Sequence, residues 1–369
     1  MSVQRIDTVC LIRPEEVPPS HESLRVLSAF NPGVAQVGDE VWLLVRVAET
    51  PREQRPGWVG LPRYAPGQPD PIIDWLPESA VEPIDPRVVR LRATGHIRLT
   101  FVSHLRLVKL DPSGKRVQEI APTPTMRPET EWEIFGVEDP RITFLEGRYY
   151  FTYVAVSPHG ACTALASTTD FQTITRHGII FPPENKDVLL FPERIRGEYA
   201  ALHRPNPNTH FHAPEMWMAY SPDLIRWGRH QPLYGGGREW ENDRVGGSVP
   251  PIRVPEGWLE IYHATRRSPG EHGVGVYTAA VMLLHPEAPE RILKIGAEPI
   301  LVPEAKFERE GFVPNVVFPT GAVVRAEGAR SPRPSKDDRL LIYYGAADTC
   351  TGVAELLLPA VYNTLHGMP

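Results

Sequence analysis

GVEDPRITFLEGRYYFTYVAV, residues 136–156, decides the architecture. A proline-bearing segment, Asp139-Pro140-Arg141, leads to a tight turn at Glu146-Gly147-Arg148, and an aromatic-rich run, Tyr149–Val156, follows. Proline cannot donate to a central ladder, a polar residue with glycine suits a hairpin turn, and aromatic side chains suit a pleated strand. The unit recurs along the chain. Its starts are Asn31-Pro32-Gly33, Asp139-Pro140-Arg141, Phe191-Pro192-Glu193, Pro250-Pro251-Ile252 and Phe318-Pro319-Thr320. Its turns are Val37-Gly38-Asp39, Glu146-Gly147-Arg148, Arg196-Gly197-Glu198, Pro255-Glu256-Gly257 and, after a longer insertion, Lys336-Asp337-Asp338. Its strands are Val41–Val47, Tyr149–Val156, Tyr199–His203, Trp258–His263 and Leu340–Tyr344. Five such repeats predict an all-β chain folded as a five-bladed β-propeller. A β-sandwich with coincidental hairpins is the alternative, and the fivefold recurrence weighs against it.

Composition agrees. With 41 prolines in 369 residues, helices and central strands must be interrupted often, and no long window has an apolar stripe at helical spacing. Residues 1–369 are read as one domain, with blades over about 28–358, an N-terminal arm and a C-terminal tail; arm and tail are candidates for mediating a homo-oligomer. The longest gap between repeats holds the insertion Pro51–Ile97. Pro51–Pro71 and Ala326–Asp338 read as surface loops.

The net charge of −6 favours neither nucleic acid nor an anionic membrane. Three separated cysteines, Cys10, Cys162 and Cys350, argue against a disulfide scaffold and suit a reducing compartment. Met1 to Glu15 lacks a signal-peptide pattern, and no apolar run approaches a membrane span, so a cytoplasmic location is expected.

A propeller gathers the polar ends of its innermost strands around one axis. Asn31, Arg46, Asp139, His203, Arg204, His263 and Asp348 occupy such positions. The sharpest local signal is Glu138-Asp139-Pro140, where paired carboxylates meet a proline that biases Asp139 toward extended backbone. A buried carboxyl beside another carboxylate would have a raised pKa, and glycosidic cleavage needs one such acid to protonate the leaving oxygen. An Asp-Pro turn in which Glu138 pairs with Arg141 is the equal alternative.

Several ordered stretches resemble glycoside hydrolase family 130, the mannoside phosphorylases and related mannosidases. They are FNPGVAQVGDEVWLLVRV (30–47), GVEDPRIT (136–143), ALASTTDF (164–171), KDVLLFPERIRGEYAALHRP (186–205), PPIRVPEGWLEIYHA (250–264), EGFVPNVVFPTGAV (310–323) and LLIYYGAADTCTGVA (340–354). The resemblance implies a five-bladed propeller and an inverting displacement with Asp139 as the acid, its proton relayed through a mannose hydroxyl. Inorganic phosphate as co-substrate needs no carboxylate base and no other cofactor. It needs cations, and the fork of arginine suits phosphate oxygens.

The residues matching the family's phosphate site are Lys186, His203, Arg204, Arg244 and Tyr277. Asn31, Arg46 and Asp348 match positions that grip mannose hydroxyls. Asp348 could equally cap a turn. Trp258 and Tyr262 could stack on sugar rings but suit the core better. The pairs His210/His212 and His203/His263 lack metal-ligand spacing, so no metal is expected.

The expected reaction is phosphorolysis of a β-mannoside, β-1,4- or β-1,2-linked, to α-mannose 1-phosphate and a shortened sugar. An inverting β-mannosidase is the alternative, with Glu239 and Glu241 as the glutamates that keep it open. A non-catalytic glycan-binding propeller is the second alternative, and an acid together with phosphate-type cations argues against it. Acceptor choice is expected to fall to the loops Pro51–Ile97 and Ser268–Gly273.

Overall fold

Local turn chemistry sets the second strand of each repeat. In the computed structural model, residues 3–207, 211–268, 273–325 and 338–367 are described. The aromatic runs fall inside the strands Glu40–Pro51, Arg148–Ser157, Tyr199–Pro205, Gly257–Arg266 and Arg339–Ala346. The turn residues take left-handed backbone where expected: Glu146 and Gly147 have φ of 51° and 82°, and Arg196 and Gly197 have 52° and 84°. Most described residues lie in strands and turns, and the described α-helices are two short ones, Lys306–Arg309 and Leu358–Tyr362. The turn residues Lys336 and Asp337, most of the loop Ala326–Asp338, His210, and residues 269–272 of the loop Ser268–Gly273 lie outside the described residues.

The strands form five antiparallel sets. The first runs Leu24–Val37, Glu40–Pro51, Val102–Leu110, Val117–Ile120. The second runs Gly136–Leu145, Arg148–Ser157, Gly160–Thr168, Thr175–Phe181. A parallel pairing of Gly136 with Ser103 joins these two into one eight-stranded sheet. The third runs Asn185–Leu190, Tyr199–Pro205, Met216–Ser221, Gly228–Tyr234. In the fourth, Arg244–Gly247 and Ile252–Val254 both pair with Gly257–Arg266, and Val276–Leu284 and Ile292–Gly296 follow. The fifth runs Val317–Arg325, Arg339–Ala346, Cys350–Leu357.

The chain ends are used inside these sheets. Arg5–Ile12 pairs with Cys350–Leu357 as the fourth strand of the fifth set, and Leu365–Gly367 pairs with Ile292–Gly296. The arm and tail, read from sequence as candidates for association, thus satisfy edge strands within the chain.

Apolar clusters link the sets pairwise in a cycle. Leu44, Leu105, Val137 and Phe151 join the first to the second; Leu165, Val188, Leu190 and Ala219 join the second to the third. Leu202, Met218, Trp258 and Tyr262 join the third to the fourth; Ile261, Val281, Ile342 and Ala354 join the fourth to the fifth. Leu43, Val45, Leu341 and Tyr343 join the fifth back to the first. Trp258 and Tyr262 have no exposed surface, so they are core and not sugar platforms. Truncating a buried aromatic such as Trp258 to alanine costs about 3–5 kcal/mol.

Two expectations need correction. The third repeat begins at Asn185–Leu190, and Phe191-Pro192-Glu193 follows that strand instead of opening it. The stretch Pro51–Pro71 is not all loop: Trp58–Arg63 pairs with Ile72–Pro77, and Val81–Asp85, Val88–Leu91 and Ile97–Leu99 form a further small sheet.

Candidate active site

The first strands of four of the five sets carry a shared irregularity. Register shifts fall between Phe30 and Gly33, between Glu138 and Arg141, between Lys186 and Leu189, and between Pro319 and Gly321. Such β-bulges re-aim a side chain out of the pleat. In the first three sets the bulged residue has left-handed backbone: Asn31 with φ 47°, Asp139 with 50° and Asp187 with 54°. Asn and Asp enter that region more readily than other side-chain-bearing residues. All three line one cleft of about 330 Å³, together with Arg46, Lys186, Arg204, Arg244, Tyr277 and Asp348.

Asp139 is held by two neighbours. Asn31 Nδ2 and Arg46 Nη1 both donate to its Oδ1, at 2.8 and 2.9 Å, and no described residue takes Oδ2. Arg46 Nη2 donates to Glu138 Oε1 at 2.7 Å. Glu138 therefore pairs with Arg46, and Arg141 turns instead to the Asp139 carbonyl (3.2 Å) and Asp187 Oδ1 (3.7 Å). Glycine makes room nearby: a Cβ on Gly345 would fall on the Asn31 side-chain amide.

The electrostatics correct one expectation. Burial pushes the Asp139 carboxyl up, but Arg46, Arg141 and the Asn31 hydrogen bond outweigh it and hold the group below its ordinary value. Its neighbour Glu138 is the raised member of the pair, because burial outweighs the attraction of Arg46. Asp348, also in left-handed backbone at φ 47°, is pushed by burial up to about 6.

The cations stand together. Arg204 Nε donates to Asp187 Oδ2 at 2.7 Å and its Nη1 to Asn206 Oδ1 at 3.2 Å, leaving Nη2 without an acceptor among the described residues. Burial raises Asp187, yet Arg204, His263 and Arg141 together hold it far below the usual carboxylate range. Arg244 Nε donates to Asp243 Oδ2 at 3.0 Å and its Nη1 to Tyr277 Oη at 3.4 Å, so its Nη2 is also spare. Lys186 Nζ makes no hydrogen bond or ion pair to a described residue, although Glu138 feels its charge.

His203 stands apart from this group. Strand neighbours point to opposite faces, so Arg204 in the cleft sends His203 the other way. Its ring is 3% exposed, contacts Asn185 Nδ2 at 3.0 Å and His230 at 3.1 Å, and stacks on Phe181. Burial lowers its pKa to about 3. His263 is fully buried behind the cleft, with Nδ1 at 3.0 Å from Ser248 Oγ and Nε2 at 3.5 Å from Asp187.

Neither glutamate that kept hydrolysis open lines the cleft. Glu241 is 2% exposed and accepts from Tyr262 Oη at 2.7 Å and Tyr234 Oη at 2.8 Å. Glu239 projects outward, 3.9 Å from Arg266. Among the described residues, no group of three His, Cys, Asp or Glu side chains could hold a metal ion. Nor is any described helix long and apolar enough to cross a membrane.

Asp187, Asn206 and Arg87 also line the cleft without having been singled out in the sequence, and Glu138, singled out only as the carboxylate beside Asp139, lines it too. The pairing reveals the parallel for Asp187: Lys186-Asp187 occupies the place in its strand that Glu138-Asp139 occupies in the preceding set.

Comparison with known proteins is consistent with this geometry. A family model described as beta-1,4-mannooligosaccharide phosphorylase matches residues 82–366. The chain is 36% identical over 371 residues to the Beta-1,2-mannobiose phosphorylase of Listeria innocua serovar 6a, covering 99% of each chain. It is 33% identical over 216 residues to the Beta-1,4-mannooligosaccharide phosphorylase of Ruminococcus albus, covering 58% of this chain and 61% of the other. A solved structure of the Listeria innocua phosphorylase, in complex with beta-1,2-mannobiose, superposes with a TM-score of 0.86 over 96% of both chains.

Proposed function

This chain belongs to glycoside hydrolase family 130, and from that premise we propose that it is an inverting β-mannoside phosphorylase built as a single five-bladed propeller. The five strand sets and the cyclic chain of apolar clusters support the blade count. One observation supports phosphorolysis above hydrolysis: Lys186 Nζ, Arg204 Nη2 and Arg244 Nη2 have no acceptor among the described residues, yet line the same cleft as Asp139. Three spare cationic donors suit a phosphate, and the glutamate that lines the cleft among the described residues, Glu138, is ion-paired with Arg46. The full-length likeness to a β-1,2-mannobiose phosphorylase favours β-1,2-linked substrates.

In this reading the mannose to be transferred lies against Asn31, Arg46 and Asp348. Phosphate, held by Lys186, Arg204, Arg244 and Tyr277, attacks C1 on the face opposite the glycosidic oxygen. The C1–O bond to the leaving sugar breaks, the C1–O bond to phosphate forms, and the leaving oxygen takes its proton from Asp139, directly or through a mannose hydroxyl. Asp139 lies below its ordinary pKa, held there by Arg46 and Arg141. A bound phosphate places a like charge nearby and excludes water, and both raise a carboxyl pKa. The proton is thus loaded as the second substrate arrives, on the Oδ2 atom that Asn31 and Arg46 leave free.

Incubation with β-1,2-mannobiose, with and without phosphate, tests this by NMR. α-Mannose 1-phosphate should form only when phosphate is present. Equal release of free mannose without phosphate, or a β-configured product, overturns the reading.

A further inference from the structure

Arg87 belongs to the small sheet of the insertion and sits at the turn between Val81–Asp85 and Val88–Leu91, yet it lines the cleft. Its aim is fixed. The Arg87 backbone N–H and Nε donate to Asp85 Oδ1 at 2.8 and 3.3 Å, and Nη2 donates to Asp85 Oδ2 at 2.8 Å. Thr100 ties the turn down, its Oγ1 donating to the Pro86 carbonyl at 2.8 Å and its N–H to the Arg87 carbonyl at 3.0 Å. Arg87 Nη1 alone has no acceptor among the described residues.

Local charge separates Arg87 from the phosphate cations. Around Lys186, Arg204, Arg244 and Arg141 the positive groups outnumber the carboxylates Asp187 and Asp243 that pair with them. Arg87 is matched by Asp85 and also feels Asp348 and the Tyr277 hydroxyl, so its surroundings are not net positive. A phosphate favours the first place, and a neutral hydroxyl pair suits the second. A guanidinium donor beside a carboxylate acceptor is a ready partner for vicinal sugar hydroxyls.

Position then decides which sugar. The floor around Asp139 is closed by the Arg46–Glu138 pair and the bulged first strands. Arg87 lies at the outer side, where it also lines a neighbouring cavity of about 210 Å³ with exposed Pro86 and Asn315. A mannose seated against Asp139 must direct its leaving partner outward, past Arg87.

We propose that Arg87 is a specificity-determining residue that binds hydroxyls of the leaving sugar, the acceptor hexose of the reverse reaction. This rests on the phosphorylase reading. The test runs the full chain in the synthetic direction, with α-mannose 1-phosphate as donor and mannose as acceptor, for the unaltered protein, Arg87→Ala, Arg87→Lys and Asp85→Asn. Loss of a hydrogen bond to a charged donor predicts that Arg87→Ala raises the KM for mannose at least ~10-fold. The KM for α-mannose 1-phosphate, and for phosphate in phosphorolysis, should stay within about twofold. Arg87→Lys should recover part of the loss, and Asp85→Asn, which frees the guanidinium to wander, should cause a smaller rise of the same kind. An unchanged KM for mannose overturns the proposal, as does an equal rise in the KM for phosphate or the donor. If the unaltered chain makes no phosphate-dependent product, the reaction itself is misread and this role falls with it.

Discussion

Replacing Arg204 by alanine should damage stability and phosphate use through separable causes, and a second substitution should pull them apart. In the native protein Arg204 is 5% exposed and bonds Asp187 at 2.7 Å. Removing it leaves the Asp187 carboxylate buried, with His263 at 3.5 Å and Arg141 at 3.7 Å as the remaining partners. Breaking a buried pair costs about 3–5 kcal/mol, and these two neighbours place the loss near ~3 kcal/mol. Asp187→Asn in the same chain removes the stranded charge, so the double variant should recover most of the lost thermal midpoint. Phosphate binding should not recover, because the spare Nη2 is gone. A charge-assisted hydrogen bond contributes about 1.5–3 kcal/mol, which raises the KM for phosphate by roughly 10- to 150-fold. Thermal melts and phosphorolysis rates at varied phosphate measure the two effects. A double variant that melts normally and uses phosphate as the unaltered protein does would refute the assignment of Arg204.

Three further outcomes are expected. Asp139→Asn keeps an acceptor oxygen for Asn31 and Arg46, so melting should hardly change while kcat falls by about 10²–10⁴-fold, the usual reach of a general acid. Gly345→Ala should drive the Asn31 amide off Asp139 and lower kcat by at least ~10-fold, and matching kinetics for Asn31→Ala would identify the cause. Asp348 has a folded-state pKa raised to about 6 from 3.8, so the native state holds its proton longer than the unfolded chain. Its contribution to stability is therefore present at low pH and is lost as pH rises toward and through about 6. Asp348→Asn should raise the melting point relative to the unaltered protein at pH 7 but not at pH 4, while weakening mannoside binding. An equal offset at both values would exclude this titration.

What could be read from the chain follows from the range of the forces involved. Hairpin turns and aromatic strands are written within about ten residues, and the second strand of each repeat was legible for that reason. The bulge at Asp187 was not, because it exists only in the pairing of Asn185–Leu190 with Tyr199–Pro205, and no proline marks it. The proline of Phe191-Pro192-Glu193 lies after Asn185–Leu190 and marks the turn that follows it. His203 was a legible miss: two neighbours on a regularly paired stretch of strand cannot both face a cleft. The pKa order of Glu138 and Asp139 depended on Arg46, which lies on another strand set, and no spacing rule within GVEDPRIT contains it. Arg87 offered no signal at all, since its role depends on where an inserted hairpin docks.

The bulges also explain why the proposed acid and the proposed phosphate cations line one cleft. A side chain in regular strand points into the packed faces between neighbouring sets, where an unpaired carboxylate costs several kcal/mol. A bulged residue escapes that alternation, but the left-handed backbone it adopts costs about 1–3 kcal/mol unless the side chain is short and polar. Asn31, Asp139 and Asp187 meet both conditions, so the repeat delivers polar groups to a shared axis at little cost in strain. Three such groups crowd together there, and the two carboxylates among them demand cations. Those come from second strands: Arg46 of the first set reaches Asp139 in the next, and Arg204 reaches Asp187 in its own. Each arginine spends one or two donors neutralising its carboxylate. Arg204 keeps Nη2 free, and Lys186 Nζ, whose charge Glu138 feels, makes no hydrogen bond to a described carboxylate. The same pairing that makes a buried carboxylate tolerable thus leaves positive charge facing the cleft that Asp139 also lines.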